Sequence, residues 1–145
     1  NRPIRNLGFP GNGGFDPSVA PGAAAADPYA VVADFLSEPG AAGATDLENQ
    51  MIAWVQRFRA LRPVTPILFL GQPRSLVGDG PTSGTQRCDA VLDWLRRQGV
   101  PGLVSVPGIV WDTASGEGSV DGYRLNDLGM MQTAELLADV IRQLG

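Results

Sequence analysis

Short apolar runs alternate along this chain with stretches of helical periodicity, and the alternation sets the class of fold. Residues 29–35, 66–70 and 103–106 are too short for helices and nearly continuous in apolar character, as strands covered on both faces are. A further run at residues 3–7, ending on Gly8, predicts another strand, feeding the glycine-rich turn at 9–14. Between and after them, apolar residues recur at three- and four-residue intervals. Leu47, Met51, Ile52, Val55, Phe58 and Leu61 share one helical face, as do Cys88, Val91, Leu92 and Leu95, and later Ala134, Leu137, Ile141 and Leu144. Strands separated by helices pair in parallel through right-handed crossovers, with helices on both faces of the sheet. The predicted class is α/β.

Local signals place the element ends. Thr45 with Glu48 and Ser83 with Gln86 have capping-box spacing, while Pro63 and Gly99 stop the two helices that follow. Asp16-Pro17 predicts the start of a short helix over residues 18–20 that Pro21 disturbs, and the alanines at 23–26 read as spacer. Residues 40–44 read as a linker, and residues 72–84 and 108–119 as long loops. The last helix is expected over residues 127–144.

With 145 residues the chain is expected to form one domain, residues 1–145, able to bury roughly two-thirds of its unfolded surface. A net charge of -4 argues against nucleic acid, whose binding depends on Lys and Arg neutralising phosphates. Cys88 is alone and histidine is absent, so no internal disulfide, no cysteine metal cluster and no imidazole base is expected. Asp16, Asp79 and Asp112 match no calcium loop, and neither a metal nor a cofactor is expected. No run reaches the roughly 18 apolar residues of a membrane span, and no signal peptide is recognisable. The compartment stays open. The glycines at 8–14 could cradle a phosphate, but they match neither a Walker loop nor a dinucleotide fingerprint.

Two stretches carry something more specific. Asp121-Gly122-Tyr123-Arg124-Leu125-Asn126-Asp127-Leu128-Gly129 resembles the closing block of the SGNH (GDSL) esterase family, Asp-Gly-x-His-Pro-Asn-x-x-Gly ahead of a C-terminal helix. Asn6-Leu7-Gly8-Phe9-Pro10-Gly11-Asn12-Gly13 is similar to the family's second block, whose second glycine donates a backbone N–H to the oxyanion. The resemblance implies a three-layer α/β/α sandwich with a flavodoxin-like parallel sheet and a ligand site at the carboxyl ends of the strands. It makes Asp121 the triad acid and Gly11 an oxyanion donor. It also puts Arg124 where the triad histidine belongs, and Arg124 cannot act as a base. An ungapped reading of the third block puts Glu38 at the oxyanion asparagine, where a carboxylate repels the charge that the asparagine would stabilise. Trp111, in the loop ahead of Asp121, is the candidate ligand wall.

The family's Gly-Asp-Ser block belongs upstream of residue 3, and the chain, starting at Asn1 without a methionine, reads as processed, trimmed or fragmentary. In the family's strand order the strand bearing that serine lies between those expected at 3–7 and 29–35. These two are therefore expected to pair directly, to recruit a strand from a second copy, or to rely on an upstream segment. Three functional readings follow from the resemblance. The chain is an ester-hydrolase relative, with acyl esters or acylated carbohydrates as ligands, inactive as it stands. Alternatively it is a non-catalytic binding or interaction domain that reuses the pocket, or a fragment completed by another polypeptide. A homo-oligomer or a complementing strand fits the last two.

Overall fold

The computed structural model describes residues 3–8, 15–34, 44–75, 83–111, 118 and 125–145. Its elements in chain order are α1 (Ala20–Ala25), β1 (Val31–Asp34), α2 (Ala44–Leu61), β2 (Ile67–Leu70), β3 (Arg74–Ser75), α3 (Ser83–Arg97), β4 (Leu103–Val106), β5 (Val110–Trp111) and α4 (Asp127–Gln143). β1, β2 and β4 form one parallel sheet in that order, with Val31 beside Ile67 and Ile67 beside Leu103. Because strands are added in one direction through right-handed crossovers, α2 and α3 fall on the same face. The fold is α/β, as the alternation predicts. No helix among the described residues is long and apolar enough to cross a membrane.

The core lies between that face and its helices. Met51, Val55 and Phe58 of α2 and Cys88, Val91, Leu92 and Leu95 of α3 are buried against Ile67, Phe69 and Leu103, the inward residues of their strands. Trp54, on the flank of the α2 face, joins them; Leu61, expected inward, is the last residue of α2 and is 53% exposed. The opposite face is buried at Leu68 and Val106. Among the described residues none of α4 belongs to this core, and Gly145, beyond the end of the helix, lies against the Tyr29 hydroxyl ahead of β1. On α4 the buried residues are Gly129 and Thr133, while Ala134, expected inward, is exposed. The apolar face is thus rotated towards the side chains of Leu137 and Ile141, which are half-buried.

The N-terminal part corrects the sequence reading most. Residues 3–8 form no strand: Ile4 is 96% exposed, and the Asn6 side chain accepts the Gly8 N–H at 2.8 Å in a local turn. A strand is stable only when another strand takes up its backbone groups. Direct pairing with β1 is therefore not the arrangement found. β1 itself has β2 as its one strand neighbour among the described residues, and Val32 is 42% exposed, so the expectation of cover on both faces also fails.

Pro21 does not disturb its helix. Asp16 caps a 3-10 turn at Pro17–Val19, its carboxylate accepting the Ser18 N–H at 2.8 Å, and this bond holds the carboxyl below its usual pKa. α1 follows directly, with Pro21 in its first turn, where no N–H is required. The supposed spacer is this helix, and Ala20, Ala23 and Ala24 are buried where it meets α2. Methyl side chains let the two backbones approach closely. At the other helix starts, both capping-box serine or threonine residues lie inside the helix, and Glu48 accepts from Arg87 Nε at 2.8 Å, tying α2 to α3.

Arg59 closes the amino end of the sheet. Its guanidinium donates to the carbonyls of Thr65 (2.7 Å), Pro101 (2.8 Å), Arg62 (3.0 Å) and Gly102 (3.3 Å), which belong to the turns entering β2 and β4. Burial lowers its pKa, yet four carbonyl partners favour the charged form.

Cys88 is buried between α3 and the sheet, and desolvation pushes its thiol up to about 12. A pKa raised on folding supplies stability that is complete below the unfolded value of 9.0 and is lost as pH rises towards the folded one. Native protein at about pH 8 should therefore not react with a thiol-disulfide reagent that labels the denatured chain within minutes. Stoichiometric labelling without denaturant would show that the site opens.

Candidate functional site

A rim at the carboxyl ends of β2 and β4 and a clamp ahead of α4 bear on the candidate site. β2 and β4 each break after their last residue and resume as β3 and β5, which pair in parallel with Arg74 beside Val110 and Ser75 beside Trp111. The break is tight: the Gly71 N–H donates to the Val106 carbonyl at 2.7 Å, and a Cβ on Gly108 would lie 2.2 Å from the Gln72 carbonyl oxygen. Only glycine lets the two turns touch backbone to backbone. The regions read as loops at 72–84 and 108–119 thus each contain a strand, too short to leave a periodic signal. Trp111, the expected ligand wall, closes β5 and stands at the outer end of this rim.

The clamp anchors the segment ahead of α4. The Asn126 side chain accepts the Gly129 N–H at 2.9 Å and so caps the helix, while the Asn126 N–H donates to the Gly118 carbonyl at 3.2 Å. Gly129 packs directly on that carbonyl, where a Cβ would come within 2.2 Å, and the Thr133 hydroxyl donates to the Gly129 carbonyl at 2.9 Å. Residues 118 and 126 are consequently held together, with seven residues between them in sequence. This explains why a motif of this kind needs asparagine and glycine at those two positions. Asn126 supplies both an N-cap acceptor and a main-chain tie, and Gly129 leaves room for the returning strand of chain.

The remaining sequence candidates lie elsewhere. Asp121 and Arg124 fall between residues 118 and 126 in sequence, Gly11 within residues 9–14 and Glu38 after β1, and all four lie outside the described residues. Gly118 is a participant that sequence reasoning passed over. Its signal was only a glycine in a glycine-rich stretch, and its role rests on a contact with a residue eleven positions away.

The sequence model of the GDSL-like lipase/acylhydrolase family matches residues 1–142. The chain belongs to this family. Among solved structures, one described as a GDSL-like lipase from Bacteroides ovatus superposes with a TM-score of 0.68 at 24% sequence identity. That likeness covers 95% of this chain and 43% of the other, so the chain spans less than half of that structure's length. It supports the three-layer SGNH sandwich as the fold. No curated protein matches the chain at a significant level. In a GDSL-like protein the block closing on Asn126 and Gly129 precedes the last helix, which is where the structure puts the clamp on Gly118.

Proposed function

We propose that this chain is a non-hydrolysing member of the GDSL-like family that keeps a cleft for an acyl ester or acylated carbohydrate at the carboxyl ends of its strands. One observation carries the reading. Arg124 occupies the triad histidine position in an otherwise recognisable block, and the chain contains no histidine at all. Serine-type ester hydrolysis depends on an imidazole that takes the hydroxyl proton and later returns it to the leaving group. Arginine, with a pKa above about 12, has no proton vacancy near neutrality. Asp121 would then retain its place without a base to orient, Gly11 would still offer an N–H to a bound carbonyl, and Glu38 would oppose any oxyanion. Support for a cleft bordered by Gly11, Glu38, Trp111 and Asp121 comes from the rim at β3 and β5 and from the clamp that holds Gly118 and Asn126 together. The rim stands at the carboxyl ends of β2 and β4, the fold's usual ligand region, and the clamp fixes both ends of the segment that carries Asp121.

Short p-nitrophenyl esters test the reading. The expected rate is that of buffer alone, because Arg124 cannot take the hydroxyl proton that an imidazole would. Turnover above buffer, accompanied by labelling with a serine-directed fluorophosphonate, would refute it.

A second reading is favoured by β1, whose outer side has no strand neighbour among the described residues. An edge without a strand neighbour is a template for another strand, and the site would then be completed by a second polypeptide.

A further inference from the structure

The outer edge of β4 is occupied by side chains of α3. β4 has β2 as its one strand neighbour among the described residues, and Ser105 is exposed. Which backbone groups turn outward follows from the ladder. The Ile67 N–H donates to the Gly102 carbonyl at 2.9 Å and the Gly71 N–H to the Val106 carbonyl at 2.7 Å, so residues 102, 104 and 106 turn their groups to β2. Backbone groups alternate in direction along a strand, and Leu103 and Ser105 therefore present theirs on the free side. Arg96, in the last turn of α3, donates from Nη2 to the Leu103 carbonyl at 3.2 Å, while its Nη1 is held by the Asp93 carboxylate at 2.8 Å. Two residues along the strand, the Ser105 hydroxyl donates to Asp89 Oδ1 at 2.8 Å, which brings a carboxylate to the same edge.

We propose that Arg96 guards this edge: by occupying the Leu103 carbonyl it keeps β4 from pairing with β4 of a second copy. An open edge is a template for another strand, and a short edge bearing charged side chains is a common protection against it. The partner excluded is the chain's own duplicate, because the edge is self-complementary. About a two-fold axis at Val104, Leu103 of one copy lies opposite Ser105 of the other, and both residues have outward N–H and C=O groups, so each such pair could exchange ladder bonds. Charge repulsion is not the obstacle, since in that register Arg96 of one copy comes near Asp89 of the other. The obstacle is occupancy. The carbonyl that a ladder N–H would need already accepts from a charged donor, a stronger bond than the neutral one that would replace it, and Asp93 holds the guanidinium in place.

Sedimentation velocity from about 10 μM to about 1 mM compares the wild-type chain with Arg96→Met and Arg96→Ala, of which the first keeps an apolar stem on α3 and loses only the donors. Self-association should be at least about tenfold stronger in both variants, because the freed carbonyl gains a ladder partner. Arg96→Lys keeps a cationic donor and should associate no more than wild type. Adding Ser105→Pro to Arg96→Met should return association to the wild-type level: the Ser105 N–H points away from β2, so the proline removes a bond that only a second copy would use. Far-UV circular dichroism verifies that each variant is folded. Should the proline variant lose structure, Ser105→Lys takes its place, since a lysine on the edge also opposes pairing. Folded Arg96→Met and Arg96→Ala chains that associate no more strongly than wild type overturn the proposal. So does added association that survives the change at position 105, or that Arg96→Lys shows equally.

Discussion

Phe58→Ala is expected to remove about 3–5 kcal/mol of stability, a large share of the roughly 5–15 kcal/mol that a domain of this size commands. Phe58 is fully buried and is part of an aromatic cluster that joins three parts of the chain. Its ring stacks on Trp54, one turn earlier in α2, at 5.2 Å and 5°. Trp54 meets the edge of Phe15 at 5.8 Å, and Phe15 in turn stacks on Phe69 of β2 at 6.0 Å. Truncation therefore costs the transfer energy of one ring and also removes the support of the next. Thermal unfolding should begin about 10 °C lower, given about 2–4 °C per kcal/mol near this chain length. Phe58→Leu, which keeps most of the volume, should cost about 1.5 kcal/mol or less. A loss below about 1 kcal/mol for the alanine variant would mean that the surrounding helices collapse into the space.

Gly108→Ala should cost about 3 kcal/mol, at the upper end for a single added methyl group, because what it meets is backbone. The new carbon would lie 2.2 Å from the Gln72 carbonyl oxygen, 2.4 Å from the Gln72 carbonyl carbon and 2.6 Å from the Gly71 oxygen. No side-chain rotation relieves such contacts, so the turns after β2 and β4 must separate and the pairing of β3 with β5 goes with them. Gly71→Ala, whose nearest contact would be the Gly108 nitrogen at 2.8 Å, should cost less. Gly22→Ala is the control: nothing lies within 4 Å, and in a helix the exchange should add about 0.5–1 kcal/mol. Chemical denaturation of the three variants gives the order directly, and amide exchange at Arg74 and Val110 reports whether the rim has opened. Equal losses at positions 71 and 108 would contradict the close contact described between the two turns.

What could be read in advance followed the reach of each signal. α2 and α3 were legible because their burial is periodic, β2 and β4 because they are short continuous apolar runs, and the ends of all four carry glycine or proline; Gly99 takes the left-handed conformation, φ +80°, that ends α3. α1 was not, since a run of alanines has no apolar and polar faces to compare, and the closeness of α2 decides that it is buried. The expected strand at residues 3–7 failed for the opposite reason. Its composition is compatible with a strand, but pairing depends on a neighbour that local sequence does not specify. Within the site, Asn126 and Gly129 were legible through a motif, whereas Gly118, Gly71 and Gly108 act through contacts between separated backbones. The rotation of α4 that exposes Ala134 was equally illegible, because one alanine suits either face.

The even spacing of the sheet also bears on how the chain finds its fold. Val31 pairs with Ile67 and Ile67 with Leu103, so the two pairings are separated by equal steps along the sequence, and neither is a local hairpin. Each requires a long loop to close before any ladder bond is gained, which slows the search. Helix formation in α2 and α3 shortens both searches by the same means. β2 participates in both closures, so the transition state should be organised around β2 and the helices on either side of it in sequence, with β1 and β4 joining from opposite flanks.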